Sequence, residues 1–197
     1  MPFVPNLLEA VRKCKPTALI GVSTIASAFN QQVIESMAEI NDRPIIFPLS
    51  NPTEKSECTF QEAMQWTSGR VLFASGSPYE PLKWQGKKVT PAQSNNAYVF
   101  PALGHAAVLA RAKQLPQEVF LMAAEALSTI TCVEQLQQGH LFPPFNDIIP
   151  TSKKIMLQLC TFFEEAALGS RPAGSTWAEI IEEGMWEPTA SALKARM

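Results

Sequence analysis

Charge is scarce in this chain. Only 17% of its 197 residues are Asp, Glu, Lys or Arg, and the formal net charge is -2. No basic stripe or Lys/Arg block occurs, which argues against nucleic acid as a partner. No run of eighteen apolar residues exists, so no membrane span is expected. The opening Met1-Pro2-Phe3-Val4-Pro5 has neither a basic n-region nor a cleavage site, so no signal peptide is expected. Cysteines number four, Cys14, Cys58, Cys132 and Cys160, with no CxxC pair and no His at ligand spacing. They read as thiols of a reducing compartment, cytoplasm or organelle matrix, and not as a disulfide framework or a zinc site. The two histidines, His105 and His140, are far apart in sequence, and nothing supports a Cys-His nucleophile. There is no G-x-G-x-x-G, no P-loop, no internal repeat and no low-complexity segment.

What is present is a globular composition, 46% hydrophobic, in a chain long enough to bury a sizeable core. The organising stretch is Ile45-Ile46-Phe47-Pro48-Leu49-Ser50-Asn51-Pro52-Thr53. A short apolar run closed by turn residues predicts a strand of a parallel sheet, buried on both faces. Ligands of open α/β sheets bind just beyond the carboxyl ends of strands. Asn51 falls there, with an amide that both donates and accepts. Read locally, it only caps a turn, as Asn-Pro often does.

The rest of the chain supports the larger reading. Asn6 caps a short helix that Lys15-Pro16 stops, and Thr17 to Ser23 is a second buried-strand run ending in a Gly/Ser turn. Val33, Ile34, Met37, Ala38 and Ile40 mark a helix over 30–41, completing a βαβ unit with the strand at 45–49. Thr59 and Glu62 form a capping box for a third helix, and Gly69 suits the position after its end. Val71-Leu72-Phe73-Ala74 predicts a third strand closed by Ser75-Gly76-Ser77-Pro78. Residues 79–93 read as loop, with a hairpin tip at Trp84-Gln85-Gly86-Lys87. Asn95 or Asn96 is expected to cap the helix that runs to Lys113. Helices follow over 118–131, 133–138 and 151–167, with a break at 169–175. The tail from Trp177 carries Ile180, Ile181 and Trp186, apolar residues expected to pack on a helix.

This combination resembles the malic enzymes, specifically the C-terminal half of their NAD(P)-binding domain and the helices after it. The matching stretches run from Lys15-Pro16-Thr17 through Gly21-Val22-Ser23 to Arg43-Pro44-Ile45, Leu49-Ser50-Asn51-Pro52-Thr53 and Glu57-Cys58-Thr59. They continue through Gly69-Arg70, Ser75-Gly76-Ser77-Pro78, Asn95-Asn96-Ala97-Tyr98-Val99-Phe100-Pro101 and Leu141-Phe142-Pro143-Pro144. The fold implied is α/β: a partial Rossmann-like, doubly wound parallel sheet of about three strands with flanking helices, then an α-helical C-terminal region. By the same resemblance residues 1–115 are the half-domain, 116–168 its helical extension and 169–197 a tail.

The resemblance implies oxidative decarboxylation of L-malate to pyruvate and CO2, with NAD or NADP and Mg or Mn. It assigns Asn51, Asn95 and Asn96 to the substrate, and Gly21, Val22, Ser23 and Asn51 to the dinucleotide. It assigns no catalytic residue and no metal ligand here, because the family's catalytic lysine and tyrosine and its acidic ligands lie upstream of the matched region. The chain is therefore expected to be inactive alone, and to associate with itself or with a malic enzyme N-terminal portion. The alternative is a non-catalytic remnant that binds nucleotide or a subunit. Three departures stand out: Thr24-Ile25-Ala26 replaces a Gly-containing turn, Ser94 replaces Gly, and Pro48 replaces a small strand residue. Ser94 matters if its position needs positive φ, and Pro48 unless it ends its strand.

Overall fold

The computed structural model describes residues 5–137 and 139–185. The readings that fall on residues 1–4, on Gln138 and on the tail from Trp186 lie outside the described residues.

Helix α1 (Leu7–Cys14) is capped by Asn6, whose Oδ1 accepts from the Glu9 N–H at 2.9 Å. Strand β1 (Ala18–Gly21) follows, then helix α2 (Gln31–Ile40), capped by Asn30. Strand β2 (Ile45–Pro48) ends on its proline, so Pro48 removes no interior ladder bond. Helix α3 (Phe60–Trp66) starts with the expected Thr59–Glu62 capping box. Gly69 follows it at φ 78, where a side chain would be strained. Strand β3 (Leu72–Ser75) comes next, then β4 (Leu82–Trp84) and β5 (Lys87–Val89). These two form an antiparallel hairpin with Gln85 and Gly86 both at positive φ, the geometry of a two-residue turn. Strand β6 (Ala92–Gln93) is followed by helices α4 (Phe100–Leu109), α5 (Glu118–Ser128), α6 (Val133–Gln137), α7 (Ile148–Glu165) and α8 (Trp177–Gly184).

The main sheet has four parallel strands in the order β1-β2-β3-β6. The sequence predicts only a loop where β6 forms, because two residues carry no periodicity to read. The chain divides into two compact units. The first holds residues up to Asn95 together with Thr131–Phe142; the second holds Asn96–Ile130 and the chain from Pro143.

In the first unit α1, α2 and α3 share a core with one face of the sheet: Val11, Val33, Ile34, Met37, Phe60 and Met64 with Leu19, Ile46 and Phe73. The expectation of strands buried on both faces is corrected here. Leu19 and Gly21 are buried, whereas Ala18 and Ile20 are exposed, and in β2 Ile46 and Pro48 are buried while Ile45 and Phe47 are half-buried. The helices α1, α2 and α3 cover one face of β1 and β2, whereas β3 buries Phe73, Ala74 and Ser75 in succession.

In the second unit α7 is the central helix. Its Ile155, Met156, Leu159, Cys160 and Phe163 are buried, and it packs against α4, α5 and α8. It begins at Ile148, three residues before the expected start, because Pro150 falls in the first turn where its missing N–H costs nothing. The tail forms α8, with a Thr176–Glu179 capping box the sequence reading missed. Trp177 and Ile181 are buried, and the Trp177 indole N–H donates to Glu164 at 2.7 Å.

Asn95 and Asn96 do not cap α4. A 3-10 turn, Asn96–Tyr98, intervenes, and the residue at the helix cap is Val99, with no side-chain hydrogen bond. Pro101 is excluded from a helix interior, so the first turn is set at residue 100 and the asparagines precede it.

Candidate functional site

Four parallel strands place four strand ends along one edge of the first unit. β1 runs into Gly21-Val22-Ser23, β2 into Leu49-Ser50-Asn51, β3 into Gly76-Ser77 and β6 into Ser94-Asn95. Backbone bonds stitch neighbouring ends together: Leu49 N–H to Gly21 O at 2.8 Å, Gly76 N–H to Pro48 O at 3.3 Å, and Ser94 N–H to Ser75 O at 2.9 Å.

Glu57 holds the first two ends together. Its side chain is fully buried, at 0% exposure. Oε1 accepts from the Ser23 N–H at 2.9 Å, the Ser23 hydroxyl at 2.9 Å and the Ser50 hydroxyl at 2.6 Å. Oε2 faces the Ser50 N–H at 3.4 Å. Burial pushes a carboxyl up, but the hydrogen bonds from Ser50 and Ser23 more than offset it, and Glu57 is held below its ordinary value. Gly21 makes the arrangement possible: a Cβ there would lie 2.5 Å from Glu57 Cδ.

Asn51 stands at the next junction. The Asn51–Pro52 bond is cis, and Asn51 Oδ1 accepts from the Ser77 hydroxyl, tying the β2 end to the β3 end. Gly76 is required beside it, since a Cβ would meet Leu49 O at 2.4 Å and Asn51 Nδ2 at 2.7 Å. The Asn51 residue is exposed. Thr24 and Ser27 both sit at φ 58, so the segment that lacks the Gly-containing turn adopts the left-handed backbone anyway. Ser94 is not among the positive-φ residues, so its position needs no glycine.

The family model described as "Malic enzyme, NAD binding domain" matches residues 3–163. The chain belongs to the malic enzyme family. It is 42% identical over 186 residues to the NADP-dependent malic enzyme of Vitis vinifera, covering 94% of this chain and 32% of that protein. It is 37% identical over 182 residues to the hydrogenosomal malic enzyme of Neocallimastix frontalis, covering 91% and 31%. In fold it is similar to the crystal structure of Entamoeba histolytica malic enzyme, with a TM-score of 0.75 at 21% identity over 98% of this chain and 36% of that one. The chain spans about a third of the length of the relatives it matches.

Of the residues singled out from the malic enzyme resemblance, the fold brings Gly21, Val22, Ser23, Asn51 and Asn95 to one edge of one sheet. Asn96 opens the second unit. Among the described residues no group of three His, Cys, Asp or Glu is placed to hold a metal ion. Cys58 is no nucleophile: burial first, then the Glu62 and Glu57 carboxylates, push its thiol well above the usual range. No helix among the described residues is long and apolar enough to cross a membrane. The resemblance assigns Glu57 no role, although it holds two of the strand ends together. In the sequence it lies in the matching stretch Glu57-Cys58-Thr59, just ahead of a capping box, and burial cannot be read from either.

Proposed function

We propose that this chain is a dinucleotide-binding portion of a malic enzyme, serving the oxidative decarboxylation of L-malate to pyruvate and CO2 with NAD or NADP. The observation that carries the reading is the parallel strand edge where the turn Gly21-Val22-Ser23 and the amide of Asn51 are locked side by side. Gly21, Val22, Ser23 and Asn51 line the dinucleotide, and Asn51, Asn95 and Asn96 bind the substrate. Neutral amides suit this role, because they orient the carboxylate and hydroxyl oxygens of malate without adding charge. The Asn51–Ser77 bond leaves the Asn51 Nδ2 donor to be aimed at a substrate oxygen by a held side chain.

A divalent Mg or Mn ion would supply Lewis-acid polarisation of the carbonyl in the whole enzyme. Its ligands are not residues described here, so no step of this chain is routed through it. Alone, the chain binds dinucleotide without turning malate over. It works by association, with itself or with a malic enzyme N-terminal portion, in a reducing compartment. The test is titration of the purified chain with NAD and NADP, followed by mixing with a malic enzyme N-terminal portion. Dinucleotide binding by the chain alone and malate turnover by the mixture, lost in Asn51→Ala, are the expected results. Absence of any dinucleotide binding, or turnover by the unmixed chain, overturns the reading.

A further inference from the structure

Ligand turns at strand ends bind phosphate through backbone N–H groups that point outward. In the turn after β1 the corresponding donors point the other way. The Ser23 N–H donates to Glu57 Oε1, the Thr24 N–H to Ser50 Oγ at 2.9 Å, and the Ile25 N–H to Ser23 Oγ at 3.2 Å. Both serine hydroxyls in turn donate to Glu57 Oε1. Three successive amides therefore converge, directly or through one hydroxyl, on a single buried carboxylate. The turn shows uncharged residues to solvent: Val22, 75% exposed, and Ile25, 63%, stand beside exposed Ser23 and Thr24.

We propose that Glu57 is a positioning residue: its carboxylate fills from inside the anion seat that the turn after β1 would otherwise offer, and fixes Gly21-Val22-Ser23 and Ser50-Asn51 as one unit that meets the dinucleotide through uncharged groups. Three consequences follow from charge and geometry. A phosphate cannot be accepted at this turn, because its donors are used and a fixed negative charge lies behind them. Ser23 serves the dinucleotide by shaping the turn and makes no hydrogen bond to it. Asn51 is held from two sides, by Ser77 on its own amide and by Glu57 through the adjoining Ser50.

The inference rests on the proposed dinucleotide function, and its test has one arm that does not depend on it. In the first arm the full chain, labelled with 15N, is titrated with inorganic phosphate and the amide resonances of Ser23, Thr24 and Ile25 are followed. In the wild type they are expected to stay unmoved, and movement on phosphate addition overturns the proposal. In Glu57→Ala, formate is expected to return the Ser23 amide towards its wild-type position; failure of a folded Glu57→Ala to respond to formate also overturns it. Where that variant does not fold, Glu57→Gln, which keeps the shape and an acceptor oxygen, is judged by loss of the charge-assisted shift at Ser23.

In the second arm NAD and NADP are titrated into the wild type and Glu57→Gln. The variant is expected to bind roughly tenfold more weakly, the order expected for losing a charge-assisted hydrogen bond. Equal affinity with an unmoved Ser23 amide overturns the proposal. A wild type that binds no dinucleotide sinks the proposed function instead, and leaves the phosphate arm to judge the anion seat.

Discussion

At the residue scale the site depends on two glycines and one acid. Gly76→Ala would set a Cβ 2.4 Å from a backbone oxygen, Leu49 O, which cannot swing away as a side chain can. The expected cost is about 1–3 kcal/mol of stability, read by urea denaturation, together with displacement of Asn51. Glu57 makes stability depend on pH. Its folded value lies below the ordinary one, so over the interval between them the unfolded chain binds the extra proton. The stabilisation is present above the ordinary carboxylate range and is lost as pH falls through the folded value. Glu57→Gln should therefore unfold more easily than wild type at neutral pH and show a flatter acid limb. A pair of parallel stability–pH curves from chemical denaturation would rule this out.

At the scale of elements, short polar contacts decide where segments stop and how they are held. The end of α2 is closed by Arg70, whose guanidinium donates to the carbonyls of Ala38, Asn41 and Asp42 from the segment before β3. The Asn96–Tyr98 turn is held by the Tyr98 hydroxyl, buried and donating to Pro143 O at 2.6 Å, with the ring edge-on to Phe145. Tyr98→Phe should cost about 1–3 kcal/mol, because a buried acceptor loses its donor, and thermal unfolding of the full chain measures it. Thr176→Ala should cost about 1 kcal/mol by removing the cap of α8. Its effect should be concentrated in α8, seen as faster amide exchange there than in α7.

At the scale of the molecule, β1 is the end strand of the sheet among the described residues, and Ile20 within it and Val22 and Ile25 after it stand exposed at 59%, 75% and 63%. Exposed apolar side chains on an end strand favour association. Ile20→Lys puts a charge on the exposed face of that strand and should lower the average mass in sedimentation velocity relative to wild type; a wild type that already sediments as a monomer contradicts the expectation.

Local physics made much of this legible in the sequence. Asn6 and the Thr59–Glu62 pair act as caps because the signal is a few residues long, and the strands at Ile45 and Leu72 are apolar runs closed by turn residues. The parallel direction of three strands follows from helices alternating with them, and the malic enzyme assignment from motifs in fixed order. The tertiary structure alone decided the rest. Strand β6 exists because β3 offers an edge, which two residues cannot announce. Ile20 is exposed and Leu19 buried because helices cover one face of β1. Asn95 and Asn96 precede the helix they were expected to cap because Pro101 sets its first turn. Glu57, an ordinary acidic residue in the sequence, is charged and fully buried because Ser23 and Ser50 come from turns 34 and 7 residues away to hydrogen-bond it. Sequence patterns report interactions along the chain; a buried charge is stabilised by donors that only the fold brings together.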